Sequence, residues 1–165
     1  METQQALSEA LASVLAKLCP NEPIDLILEW STADEFIACA WIRSGQIGIT
    51  ISEGCERILR DIAFRVLSMP GVFRDIGDPD QESLPCAPPL PDGARSCADL
   101  ISDSGEYELQ VPSCEERLQY SHALGTLSVY GVAFHELAHV LLGHLPVVAS
   151  MELEGIGLRS LEWAA

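Results

Sequence analysis

The segment His135-Glu136-Leu137-Ala138-His139 places two imidazoles and a carboxylate in the pattern H-E-x-x-H. Residues four apart lie on one face of an α-helix, so His135 and His139 can reach a single metal ion. Glu136 lies beside them, where it can accept a proton from a water molecule that the ion activates. Imidazole and carboxylate ligands in a site with an open position are typical of catalytic zinc. The motif therefore predicts a Zn²⁺ centre in which Glu136 is the general base.

A catalytic zinc ion needs a third protein ligand. In the longer pattern H-E-x-x-H-x-x-G-x-x-H, the glycine and the third histidine would fall at positions 142 and 145, which are both leucine. Gly143 and His144 are each displaced by one residue, and this displacement rotates a helical side chain by about 100°. We therefore expect a glutamate downstream of the motif. The best placed is Glu162, in a predicted C-terminal helix, and the alternatives in the preceding loop are Glu152 and Glu154.

Two other side chains near the motif carry polar groups. If the helix continued, His144 would face about 180° away from His135. Beyond the helix end it could support a ligand or stabilise an oxyanion, but the plainer interpretation is a C-terminal histidine favoured by the helix dipole. Tyr130 is a candidate hydrogen-bond donor to a developing oxyanion, as are Tyr107 and Tyr120. The sequence does not select among the three tyrosines.

Several elements must position the motif. Apolar residues at i, i+3 and i+4 spacing predict a helix over residues 3–18, which ends in Leu18. Segments 24–30, 35–42 and 46–52 are rich in β-formers, and the sequence R-S-G-Q between the last two is typical of a hairpin turn. These segments predict a small antiparallel sheet. Helical periodicity returns over residues 54–69, where the candidates for burial are Ile58, Ile62, Phe64, Val66 and Leu67.

The motif itself belongs to a long predicted helix. Ser113 to Glu116 fits a capping box, and the apolar pattern after it runs to Leu142, before Gly143 and Pro146. Ahead of it, residues 75–108 are acidic and rich in proline, which favours an insertion or a long loop. The resulting prediction is an α+β fold in one domain, residues 1–165, with the sheet packed beside the helix that carries H-E-x-x-H.

The composition excludes several classes of function. The chain has 9 Lys and Arg against 25 Asp and Glu, a net charge of −16, which repels nucleic-acid phosphates. No secretory signal is visible, and the six cysteines form no C-x-x-C pair, so we expect free thiols in a reducing cytoplasm. The apolar run 123–151 is interrupted by histidines, Glu136 and Pro146, which disfavours a membrane span.

The stretch "HELAHVLLGH" resembles gluzincin-type metallopeptidases, especially the ImmA/IrrE-like and Lit-like phage-related bacterial peptidases. The segment "LRSLEWAA" is similar to the E-x-x-A-D segment in which many gluzincins supply the third ligand and an aspartate behind it. The resemblance implies a zincin-like fold with His135, His139 and Glu162 as zinc ligands. It departs where the aspartate would be residue 166, because the chain stops at Ala165. Either the C-terminal helix is truncated there, or the resemblance to the family ends there.

These observations lead to the hypothesis of a zinc-dependent metallopeptidase that acts on a protein or peptide substrate. A zinc-activated water, deprotonated by Glu136, would attack the peptide carbonyl. The edge strand of the sheet could hold an extended substrate by strand addition. The alternative is a non-catalytic or truncated zincin domain with a regulatory or protein-binding role. The substrate's identity and the oligomeric state are not set by the sequence.

Overall fold

The computed structural model describes residues 2–21, 24–83 and 110–145. In chain order these residues form α1 (Glu2–Leu18), β1 (Leu26–Ser31), β2 (Ala38–Arg43), β3 (Gln46–Ser52), α2 (Glu53–Leu67), a 3₁₀ turn (Pro79–Gln81) and α3 (Glu115–Leu141). The architecture is α+β, which confirms the predicted class.

The chain divides into two compact units. Of the described residues, the first contains 2–21, 24–31, 37–51 and 130–145, and the second contains 32–36, 52–83 and 110–129. The single domain of residues 1–165 stays a prediction. Within the described residues, no helix combines the length and the apolar character that crossing a membrane requires.

Strands β2 and β3 of the first unit form the predicted hairpin. They pair antiparallel, from Ala38 opposite Ile51 to Arg43 opposite Gln46. The two residues of the turn, Ser44 and Gly45, both have positive φ, 52° and 81°. Positive φ at both positions is the signature of a type I′ turn, whose twist matches that of the two strands. The turn therefore fixes the register of β2 against β3.

The sheet is mixed rather than wholly antiparallel. Its strand order is β1-β3-β2, and β1 runs parallel to β3. The prediction of an antiparallel sheet is therefore correct for the hairpin and wrong for β1. The segment that joins β1 to β2 is longer than a hairpin turn, so β2 can lie on the far side of β3. Among the strands that the structure describes, this order leaves β2 at an edge of the sheet.

The core of the first unit comes from α1 and from one face of the sheet. Three leucines of α1 at i, i+4 spacing are buried: Leu7, Leu11 and Leu15. Ile49 and Ile51 of β3 are completely buried. Leu18, which the periodicity placed on the apolar face, is 61% exposed because it is the last residue of α1. The predicted helix is otherwise confirmed.

A polar network covers the opposite face of the sheet and links its three strands. The indole N–H of Trp41 donates to the Thr50 hydroxyl at 2.9 Å, and that hydroxyl donates to the Glu29 carboxylate at 2.9 Å. Gly48 lies beneath Trp41, where a Cβ atom would collide with the indole ring. The missing side chain at Gly48 therefore lets Trp41 lie across β3.

Helix α2 opens the second unit. The Ser52 hydroxyl accepts a hydrogen bond from the Cys55 N–H at 3.0 Å and caps its first turn. Three of the residues predicted to be buried are buried, namely Ile58, Phe64 and Leu67. Val66 is half-buried. Ile62 is 37% exposed, so its predicted burial is wrong.

The buried face of α2 includes an ion pair that the periodicity of apolar residues does not reveal. Asp61 and Arg65 are both buried, and the Arg65 Nε donates to the Asp61 carboxylate at 2.6 Å. Burial raises the pKa of Asp61, and the hydrogen bond and the charge of Arg65 oppose that rise. The two charged residues share one helix face because they are four apart.

The start of α3 also differs from the prediction. The helix begins at Glu115, one residue later than a Ser113 cap requires. The buried carboxylate of Glu82 accepts hydrogen bonds from the N–H groups of Ser113 and Cys114, each at 3.0 Å. A negative charge is favourable at a helix N-terminus. Glu82 thus supports this helix end, although it lies in the predicted insertion, of which residues 84–108 are outside the described ranges.

Candidate metal centre

The last three turns of α3, from Tyr130 to Leu141, carry the H-E-x-x-H motif. Ala133 and Leu137 are buried and lie four residues apart, so they anchor one face of this part of the helix. The histidines lie on a neighbouring face, with His139 buried and His135 half-buried. The prediction that a helix presents the motif is confirmed.

The two imidazoles of the motif face each other with their Nε2 atoms. The Nε2 of His135 lies 3.2 Å from the Nε2 of His139, and the ring planes are 88° apart. Four-coordinate zinc has Zn–N distances near 2.0–2.1 Å, and a tetrahedron of that size separates two ligand nitrogens by about 3.3 Å. The observed separation therefore fits two ligands of one zinc ion.

A carboxylate lies close to the two imidazoles. His135, Glu136 and His139 each offer one ligand atom, and these atoms lie within 4.8 Å of one another. Two imidazole nitrogens suit zinc better than calcium or magnesium, which prefer oxygen ligands throughout, and the carboxylate at this distance can act as the base. The residues present thus fit the metal that the motif predicts.

The carboxylate of Glu136 contacts the edge strand of the sheet. Its Oε2 accepts a hydrogen bond from the Ala40 N–H of β2 at 2.8 Å. Because a carboxylate has two oxygens, this contact holds the side chain in place and leaves the second oxygen to other partners. Glu136 is therefore positioned by the backbone of β2.

A thiol of β2 lies beside this contact. Partial burial and the negative charge of Glu136 raise the pKa of Cys39, which is the residue before Ala40. The negative charge at this point of β2 comes from Glu136.

The motif helix ends in a sharp turn of the chain. Gly143 has a φ of +70°, and the Gly143 N–H donates to the Val140 carbonyl at 3.2 Å. A left-handed glycine directly after a helix is a common terminator, because other residues adopt that φ only with strain. The turn takes residue 144 off the path that a continued helix would follow.

His144 consequently returns to the motif. Its Nδ1 lies 2.9 Å from the Nδ1 of His139, and only 8% of the residue is exposed. The sequence placed His144 away from the metal for a continued helix and favoured a helix-dipole role. A continued helix would not allow this contact, so the side chain lies beside the motif once the helix has ended. The role of His144 stays a prediction.

The described part of the chain places none of the other predicted site residues in this group. Tyr130 is half-buried on α3 and lies about 140° around the helix axis from His135, on the basis of 100° per residue. Tyr120 is exposed and belongs to the second unit. The predicted third ligand, Glu162, lies outside the described residues, and so do its alternatives Glu152 and Glu154. Tyr107 also lies outside them.

Two parts of the arrangement were missed by sequence reasoning. The backbone N–H of Ala40 leaves no signature in side-chain type, and only the strand order brings β2 to Glu136. The sequence does contain a signal for the contact of His144 with the motif. Gly143 indicates a left-handed residue at the helix end, after which the chain can turn back toward the helix.

Comparison of the chain with models of known protein families, with characterised proteins and with solved structures gives no match. The geometry of the site is therefore the basis for a functional assignment.

Proposed function

We propose that this protein is a zinc-dependent metallopeptidase of zincin-like architecture, with its active centre at His135, Glu136 and His139. The observation that carries the proposal is the convergence of two imidazole Nε2 atoms at 3.2 Å with a carboxylate on the same helix. That combination is chemically specific, because a structural histidine pair has no need of a neighbouring base.

His135 and His139 hold the metal through their Nε2 atoms, and Glu162 is the proposed third ligand. A bound zinc ion supplies Lewis-acid chemistry, making a water molecule more acidic and polarising the carbonyl of the peptide. Glu136 accepts the proton of that water and later gives it to the departing amine. Before a substrate binds, the hydrogen bond from the Ala40 N–H holds this carboxylate in place.

We propose that an extended peptide substrate binds along the edge of β2. The two-residue turn makes Arg43 and Gln46 a hydrogen-bonded pair, so the backbone groups of Ala38, Ala40 and Ile42 point to the free edge. A substrate strand added there would pass directly beside Glu136, which already contacts Ala40. We expect the substrate's own backbone to displace Glu136 from this N–H as it pairs with the strand.

We also propose that the enzyme acts in the cytoplasm. The described cysteines are free thiols, which suits a reducing compartment: Cys19, Cys39, Cys55 and Cys114.

The test is cleavage of a library of fluorescence-quenched peptides by zinc-loaded wild-type chain and by Glu136→Gln. Because Gln keeps the shape of the side chain and cannot accept the proton, we expect the rate to fall by about 10²–10⁴-fold while zinc is retained. Glu116→Gln is the matched control, since it makes the same change at an exposed position of the same helix, and its rate should equal that of the wild type.

Equal rates for Glu136→Gln and the wild type would contradict the proposal. A wild-type chain that holds zinc and cleaves none of the peptides would also count against it and would favour a non-catalytic zincin that binds or regulates another protein.

A further inference from the structure

We propose that His144 is a positioning residue for the metal site: its Nδ1 accepts the Nδ1 proton of His139 and so leaves the Nε2 of His139 free to bind zinc. The inference rests on the proposed function, because it concerns the same site. It assigns a role to a residue that the H-E-x-x-H motif does not contain. The observation behind it is the 2.9 Å contact between the two Nδ1 atoms.

The direction of that hydrogen bond is set by the metal site. A neutral imidazole carries one proton, on Nδ1 or on Nε2. The Nε2 of His139 faces the Nε2 of His135 and must present a lone pair in order to bind the ion. The proton of His139 is then on Nδ1, so the Nδ1 of His144 is the acceptor and the proton of His144 is on its Nε2.

The same geometry excludes His144 as a ligand of that ion. Nδ1 and Nε2 lie on different sides of the His139 ring, and His144 approaches Nδ1 while His135 approaches Nε2. A metal at Nε2 is therefore on the other side of the ring from His144. This places His144 behind the ligand, a position in which other zinc sites use a carboxylate, a carbonyl or water.

Burial makes this acceptor hard to replace. His139 is 7% exposed and His144 is 8% exposed, so water has little access to the Nδ1 of His139. Without His144, that N–H would lose this acceptor in a buried site, or the proton would move to Nε2 and block the metal. Either outcome weakens the site, and loss of such a supporting group typically lowers metal affinity by about 10–100-fold.

The experiment measures zinc affinity at pH 8 by competition with a chromophoric chelator, in the full chain. His144→Leu removes the acceptor, and we expect zinc binding to weaken by about 10–100-fold. His144→Asn places an amide oxygen where the Nδ1 stood, and it should restore most of the affinity. His122→Leu is the control, because His122 is an exposed histidine of the same helix that packs on Phe64 in the second unit, and its affinity should not change.

A second readout separates positioning from a general effect on folding. In the metal-free wild-type chain, ¹⁵N NMR of the imidazoles should show His139 protonated on Nδ1, and His144→Asn should keep that tautomer. In His144→Leu, the Nε2-protonated form should gain population. Circular dichroism at far-ultraviolet wavelengths should give the same spectrum for all these variants.

Equal zinc affinity of His144→Leu and wild type would overturn the inference and leave the peptidase proposal standing. A His139 proton on Nε2 in the wild type would overturn it as well. A wild-type chain that binds zinc through the supported His139 but cleaves no peptide would contradict only the proposed activity.

Discussion

Helix α3 buries a guanidinium near its first turn and imidazoles near its last, and the two clusters satisfy their polar atoms in opposite ways. Arg117 has five N–H donors, and each meets a different backbone carbonyl at 2.8–3.0 Å. These carbonyls belong to the end of α2 and the loop after it: Leu67, Met69, Val72, Phe73 and Ile76. Glu82 lies 3.7 Å from the Arg117 Nε and balances its charge.

In the histidine cluster, atoms of the same kind face each other. Nitrogen meets nitrogen where His139 approaches His135, at 3.2 Å, and where it approaches His144, at 2.9 Å, and either nitrogen of each pair can be the donor, depending on the tautomers. Arg117 has fixed donors, fixed acceptors and a single solution. The cluster around Arg117 pairs donors with acceptors and so stabilises the fold. The histidine cluster brings nitrogen atoms together, an arrangement that suits the binding of a metal ion.

From this contrast we expect the largest effect on stability at Arg117. In Arg117→Ala, the five carbonyls and the carboxylate of Glu82 lose their shared partner in a buried site. Removing one member of a buried ion pair typically costs about 3–5 kcal/mol. We therefore expect a drop of that size in the free energy of unfolding of the second unit, measured by urea denaturation followed by circular dichroism.

Arg57→Ala is the control for that change. The Arg57 side chain is 56% exposed and pairs with Asp34 and Glu53, and exposed ion pairs contribute at most about 1 kcal/mol. Equal losses for Arg57→Ala and Arg117→Ala would contradict the structural role assigned to the guanidinium.

Smaller changes in the free energy of unfolding are expected when two glycines are replaced by alanine. We expect a loss of stability at Gly143, directly after α3, and a gain at Gly131, inside the helix. Gly143 needs its φ of +70°, so Gly143→Ala should lower the free energy of unfolding by roughly 1–2 kcal/mol and displace His144. Gly131 lies inside the helix, where an added Cβ meets only open space. Gly131→Ala should raise the stability by about 0.5–1 kcal/mol.

Thermal unfolding of the two alanine variants, with zinc affinity measured alongside, provides the check. Weaker zinc binding in Gly143→Ala but not in Gly131→Ala would agree with the left-handed turn at Gly143 placing His144 beside His139. A stabilised Gly143→Ala chain with unchanged affinity would show that the left-handed turn does not serve the site.

Local patterns predicted much of this molecule because local physics decides them. Helical periodicity located α1, α2 and α3, and the sequence R-S-G-Q located the hairpin, since a two-residue turn is specified by its own residues. The spacing of His135 and His139 likewise predicted their meeting, because residues four apart share a helix face.

The parts that escaped prediction depend on contacts between distant segments. Glu82 takes over the end of α3 from Ser113, and it lies 31 positions before that residue. The placement of β1 beside β3 depends on which strand edge is free when the sheet assembles. Ile62 is exposed because a buried Asp61–Arg65 pair occupies the neighbouring face of α2. Patterns of apolar residues carry no information about such pairs.

The most direct test of the proposed zinc centre is its stoichiometry, measured by mass spectrometry of the metal in chains dialysed against a small excess of zinc. We predict about one zinc per chain for the wild type and for Glu136→Gln, and loss of that zinc in His135→Ala and in His139→Ala. His122→Ala, as the histidine control, should keep it. A wild-type chain that takes up no zinc, or histidine variants at 135 and 139 that bind it as the wild type does, would contradict the assignment of the metal centre.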